Sequence, residues 1–170
     1  MTEVCLGLGS NVEPEQHIIA ALDALSQSFG ELQISRVFES EAVGFKGNNF
    51  YNLVVVVHTD LSVNDLVQKL RAIENDNGRD RSKPKFSPRT LDIDILAYGN
   101  LVGEFDGVSL PRDEIVKNAF VLWPLAELMP DRQHPATGQT YAALWQAYDK
   151  NQQQLAPVEF SWRGEIISRR

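Results

Sequence analysis

Residues 78–89 read GRDRSKPKFSPR, and in a chain of formal net charge -7 they set Arg79, Arg81, Lys83, Lys85 and Arg89 against one acid, Asp80. Immediately afterwards comes Leu91-Asp92-Ile93-Asp94-Ile95-Leu96, a β-branched strand pattern with aspartate at two alternate positions. Side chains at i and i+2 of a strand project to the same face, so both carboxylates are expected side by side. Like charges held that close are costly unless a cation lies between them. An oxygen-only pair suits Mg²⁺, which takes one or two carboxylates and completes its shell with substrate phosphates. Guanidinium groups supply the other half, because their forks match phosphate oxygens with parallel, charge-assisted hydrogen bonds. Basic segment and acidic pair together read as a magnesium–nucleotide site.

Each half also has a plainer explanation. A charge run is commonly a solvated loop, and D-x-D can be the exposed polar face of a strand. Adjacency is what favours a site. Leu91, Ile93, Ile95 and Leu96 need burying in either case, so this strand is expected inside its sheet, with the acids facing a cleft.

The elements that must position these groups follow from periodicity. Residues 3–9 alternate as a short buried strand and end in the turn signal Gly9-Ser10-Asn11. Glu13-Pro14-Glu15-Gln16 opens a helix, with proline in its first turn and acids favourable to its dipole; apolar residues then recur at three- and four-residue spacing up to Gly30. Residues 32–38 read as a strand, residues 39–49 as a loop, and residues 50–58 (FYNLVVVVH) as a strand interrupted by Asn52. A buried amide must be hydrogen-bonded; Asn52 either satisfies backbone at the strand entry or reads the edge of a heterocycle. Ser62 caps an amphipathic helix that ends near Gly78. Glu74 in its last turn opposes the dipole, which leaves it either exposed or paired with an arginine or a ligand hydroxyl.

Beyond the strand at 91–98, residues 118–128 form a largely buried helix bent or restarted at Pro124. Residues 141–148 form a short helix, and residues 155–167 a terminal strand or hairpin. The order β-α-β, β-α-β predicts an α+β fold, a ferredoxin-like βαββαβ sandwich with its helices on one face of an antiparallel sheet, extended by C-terminal helices.

At 170 residues the chain fits a single domain, 1–170, able to bury about 70% of its unfolded surface. Its one cysteine, Cys5, sits in an apolar run and reads as a buried thiol. His17 is expected to face solvent, and His134 to be structural or exposed. The N-terminus lacks a basic leader region and no apolar run approaches about 18 residues, so a soluble, cytoplasmic protein is expected; a monomer acting on small molecules is the expected partner state. The acidic balance argues against wrapping nucleic acid and is compatible with a small polyanion.

Gly7-Leu8-Gly9-Ser10-Asn11, Ile73-Glu74 ahead of Gly78-Arg79-Asp80-Arg81, Pro88-Arg89-Thr90-Leu91-Asp92-Ile93-Asp94-Ile95, and Phe120-Val121-Leu122-Trp123-Pro124-Leu125 occur in this order. In these motifs the chain resembles the 6-hydroxymethyl-7,8-dihydropterin pyrophosphokinases of folate biosynthesis over most of residues 3–130. The resemblance implies transfer of the β,γ-pyrophosphate of ATP to the hydroxymethyl group of a dihydropterin, assisted by two Mg²⁺ ions. By position it implies Asp92 and Asp94 as the metal pair, and Arg79, Arg89 and Asp94 as catalytic groups. Glu74, Arg81, Ile95 and Arg112 are implied as nucleotide contacts, and Val43, Phe50, Asn52 and Phe120 as the pterin pocket. Arg112 stands where the family has a nucleotide-binding histidine, Asn118 where it has an arginine, and Phe86-Ser87 where it has Trp-Gly. A second reading from another class is a pterin- or nucleotide-binding module that has lost turnover through Arg112 and Asn118. A ferredoxin-fold RNA binder fits poorly, because an aromatic-rich sheet motif is missing.

Overall fold

The computed structural model describes residues 1–40, 49–78 and 90–170. In chain order its elements are β1 (Thr2–Ser10), α1 (Pro14–Phe29), β2 (Gln33–Ile34), β3 (Val37–Ser40), β4 (Phe50–Thr59), α2 (Val63–Asp76) and β5 (Asp92–Tyr98). There follow β6 (Gly103–Phe105), β7 (Val108–Leu110), α3 (Glu114–Lys117), α4 (Ala119–Leu128), α5 (Tyr141–Ala147), β8 (Leu155–Val158), β9 (Phe160–Trp162) and β10 (Glu165–Ser168). The main sheet runs β5-β1-β4-β3-β8, with β2 also paired to β4. Among the described residues all its strand pairings are antiparallel.

Alternation along the strands builds a core on each face. Val4, Leu6 and Leu8 of β1, Leu53, Val55 and Val57 of β4, and Ile93 and Ile95 of β5 pack with Ile18, Leu22 and Leu25 of α1 and Leu66, Leu70 and Ile73 of α2. The opposite face presents Cys5, Val54, Val56, Leu96 and Ala97 to Val121, Leu122 and Leu125 of α4 and Tyr141 of α5. Helices therefore cover both faces, whereas the sequence pattern placed them on one. The reason lies in α4: Ala119, Val121, Leu122, Pro124, Leu125 and Ala126 are all buried, and a helix apolar around most of its circumference must be enclosed. Cys5 lies in this second core with its Sγ 3.6 Å from Met129 Sδ, and burial pushes its thiol up to about 12.

The strand read at 32–38 is divided, because Ser35 bonds Val54 twice: its N–H donates to Val54 O (2.9 Å), and its Oγ accepts the Val54 N–H (2.8 Å). A hydroxyl thus stands in for a backbone carbonyl at the break. The connection after Gly99 contains the hairpin β6–β7. Its turn residues Asp106 and Gly107 both have positive φ (55° and 82°), as a two-residue type I′ turn requires.

The third correction concerns the acidic strand. β5 lies at the edge of the sheet, not within it. Leu91 and Leu96 are nonetheless buried, because helices cover β5 on both faces and the hairpin flanks its free edge. Burial of both faces does not require a neighbouring strand on both edges.

Candidate functional site

Register brings the site residues into line. Phe38 pairs with Asn52, Asn52 with Gly9, and Gly9 with Asp92, so four strands contribute one row across the sheet. The next row joins Val54, Gly7 and Asp94. With strands about 4.8 Å apart, Asn52 and Asp92 stand on the order of 10 Å from each other. Gly7 and Gly9 contribute no side chain of their own between them, and the space above Gly7 is taken by Leu96, whose Cδ atoms lie 3.3 Å from where a Cβ would stand. A Cβ on Gly9 would lie 2.8 Å from Asn52 Oδ1, which is why glycine is needed there.

The two aspartates share one face of β5, about 7 Å apart along the strand. Burial lifts the Asp94 carboxyl to about 6, Arg112 pulls it back, and Asp92 raises it further. An adjoining cleft of about 260 Å³ runs between α2, β5 and the hairpin. Val67, Leu70, Arg71 and Glu74 of α2 line one wall, and Asp92, Ile93, Asp94 and Ile95 another. Val108 and Arg112 close the third side.

Glu74, expected to be exposed or paired, is buried, and its Oε2 accepts the backbone N–H of Ile93 at 2.8 Å. An edge strand leaves alternate amides without a ladder partner; this carboxylate satisfies one and ties α2 to β5. That contact offsets its unfavourable place in the last turn of α2. At the other end of the strand, Ser10 Oγ donates to Thr90 O at 2.6 Å, which fixes the chain just ahead of β5. The Gly9-Ser10-Asn11 stretch thus supplies both the space that the Asn52 amide occupies and the anchor of the acidic strand.

Asn52 is buried, and its Nδ2 donates to Ser40 Oγ at 3.3 Å. Phe50 lies two residues earlier on the same face of β4, the face against which α4 packs, and Phe120 sits partly buried in the first turn of α4. Arg112 is held at the cleft mouth. Its backbone N–H donates to Leu96 O (2.8 Å), its Nη2 bonds the Glu114 carboxylate, and its Nη1 is 4.0 Å from Asp94 Oδ1. The structure therefore gathers Glu74, Asp92, Asp94, Ile95 and Arg112 at one cleft and places Asn52 two strands away. Val43, Arg79, Arg81 and Arg89 lie outside the described residues. Sequence reading passed over Arg71, although it is one helical turn from Glu74 and so on the same face, and over Glu114 and Ser40. His134 is buried and structural, with Nδ1 accepting the N–H groups of Ala136 and Thr137, each at 3.1 Å.

Fold and site together define a mixed α/β domain with a charged cleft suited to a small ligand. The family described as 7,8-dihydro-6-hydroxymethylpterin-pyrophosphokinase matches residues 5–130. A 2-amino-4-hydroxy-6-hydroxymethyldihydropteridine pyrophosphokinase of Aquifex aeolicus is 36% identical over 137 residues, covering 79% of this chain and 85% of its own length. The protein of the same name from Pseudomonas aeruginosa is 38% identical over 136 residues, covering 78% and 83%. Among solved structures, Plasmodium falciparum HPPK-DHPS superposes with a TM-score of 0.72 at 15% identity, over 99% of this chain and 49% of that one. This chain spans about half the length of the solved chains it resembles, and that likeness shows the fold. The chain belongs to the 7,8-dihydro-6-hydroxymethylpterin-pyrophosphokinase family.

Proposed function

We infer that this chain transfers the β,γ-pyrophosphate of ATP to 6-hydroxymethyl-7,8-dihydropterin, giving AMP and the pterin diphosphate, a step in folate biosynthesis. The observation that carries this reading is the row Asn52–Gly9–Asp92, which sets an amide able to read a heterocycle edge two strands from a pair of carboxylates, with glycine at the position between them. The substrate hydroxyl oxygen attacks the β-phosphorus, the bond from that phosphorus to the oxygen bridging to the α-phosphorus breaks, and AMP leaves with the bridging oxygen. Asp94 accepts the hydroxyl proton.

Asp92 and Asp94 fit magnesium by donor chemistry: two hard oxygen ligands on one strand face, with room left for phosphate oxygens. Two bound Mg²⁺ ions would neutralise the polyphosphate and acidify the attacking hydroxyl. Phosphoryl transfer of this kind depends on positioning and charge neutralisation, so no nucleophilic side chain is required. Phe50 and Phe120 stack on the pterin, Asn52 reads its edge, and Val43 contributes a backbone contact. Arg79 and Arg89 act on the transferring group, and Arg81, Glu74, Ile95 and Arg112 bind the nucleotide.

The order β5-β1-β4-β3 with α1 and α2 on one face supports a ferredoxin-like core, and the shared cores support one domain over 1–170. No helix among the described residues is long and apolar enough to cross a membrane; a cytoplasmic enzyme acting as a monomer on small molecules is part of the same proposal. The test is incubation of purified protein with ATP, Mg²⁺ and hydroxymethyldihydropterin. AMP released only when pterin is present supports the reading, and folded protein that releases none at high concentration refutes it.

A further inference from the structure

Arg112 is fixed at three points that differ in kind. Its main chain is bonded to β5 through Leu96 O, one edge of its guanidinium is committed to Glu114, and the other edge faces Asp94 from 4.0 Å. Arginine carries five donors in a rigid planar fork. Holding one edge of that fork therefore determines where the other edge points. Glu114 opens the short helix α3, two residues after Arg112, and lines neither the acidic row nor the described wall of α2.

We propose that Glu114 is a positioning residue. It restrains Arg112 so that the guanidinium edge facing Asp94 is held 4.0 Å off at the cleft mouth, within reach of a nucleoside triphosphate, instead of closing further onto the Asp92–Asp94 pair. Without the Glu114 carboxylate, the strongest remaining attraction for a half-buried guanidinium here is Asp94, already within ion-pair range. Arg112 then competes with the divalent cation for that carboxylate and is withdrawn from the phosphates. Glu114 thereby acts on metal and nucleotide together while touching neither. The inference rests on the pyrophosphokinase reading for the identity of the nucleotide, but its electrostatic core concerns this chain alone.

The test is a cycle of Glu114→Gln, Arg112→Gln and the double variant, with Glu114→Asp as the conservative control. Folding is checked by thermal melting. Mn²⁺ affinity of the nucleotide-free protein is measured by calorimetry, and the KM for ATP and for pterin at fixed Mg²⁺ by AMP release. Glu114→Gln is expected to weaken Mn²⁺ about tenfold and raise the ATP KM several-fold, with the pterin KM unchanged and Glu114→Asp largely restoring both. In the Arg112→Gln background the same substitution should have little further effect. An unchanged Mn²⁺ affinity in folded Glu114→Gln overturns the proposal. So does an equal loss in both backgrounds, which would make Glu114 a distant charge acting without Arg112. Absence of AMP from the wild-type protein would refute the pyrophosphokinase reading, and the Mn²⁺ cycle would still decide the role of Glu114.

Discussion

Gly9 and Asn52 face each other across β1 and β4, and the amide oxygen of Asn52 occupies the space that any side chain at Gly9 would need. The ladder on both sides of Gly9 holds the backbone, so a methyl group there displaces the amide and disturbs its 3.3 Å contact with Ser40. Gly9→Ala should weaken dihydropterin binding by about 10- to 100-fold, the loss expected when a buried polar recognition contact is misaligned. ATP affinity measured without pterin should stay within about twofold. Equilibrium fluorescence titration with each ligand checks this, and unchanged pterin affinity would count against Asn52 as the edge reader.

Asp92 and Asp94 are expected to be separable from stability. Both stand partly exposed on a strand whose burial depends on Ile93, Ile95 and Leu96. Asp94→Ala and Asp92→Ala should each keep the native melting temperature within a few degrees and lose about 100-fold or more in kcat. Steady-state kinetics alongside calorimetry distinguishes this from general unfolding, which would lower both together.

Glu74 makes a different contribution. Its carboxylate satisfies the buried N–H of Ile93, so Glu74→Ala leaves that donor unpaired at a cost of about 1–3 kcal/mol. Glu74→Gln retains an acceptor oxygen and should cost less. Urea unfolding of the two variants checks the order, and equal destabilisation would show that the bond to Ile93 is not what Glu74 supplies.

Much of this architecture was legible because strong periodicity decided it. The apolar runs of β1 and β4, the three- and four-residue spacing in α1 and α2, and the Ser62 cap, whose hydroxyl accepts the Asp65 N–H, all fall where sequence puts them. The acidic pair was legible for the same reason, since strand period alone sets Asp92 and Asp94 on one face. What escaped was set by tertiary pairing. The edge position of β5 depends on which strands neighbour it, and an apolar run reads the same at an edge covered by helices as at the centre. The Gly9–Asn52 contact depends on register between segments about 40 residues apart, and the Ser35 break on a side chain replacing a carbonyl. The β6–β7 hairpin did carry a local signal, Asp106-Gly107, but its strands are only three residues long, too short for alternation to stand out.

His134 provides a pH-dependent test of stability. Burial lowers its pKa below the ordinary value, and Nδ1 accepts two backbone N–H groups, so the fold requires the neutral ring. The unfolded chain takes up a proton near pH 6.5 more readily than the folded one, so stability should fall as pH drops below about 6.5. Thermal melts at pH 7.5 and 5.5 should show the decline. His134→Asn, which keeps an acceptor but does not titrate, should flatten that part of the profile.

The central claim is that two phosphoryl groups move together to the pterin. ATP labelled with ³²P at the β-position distinguishes this from transfer of the γ-phosphate alone. In the presence of Mg²⁺ and hydroxymethyldihydropterin, the label is expected to pass to the pterin product and to leave unlabelled AMP. Label retained in ADP, or no pterin-dependent transfer by folded protein, would contradict it.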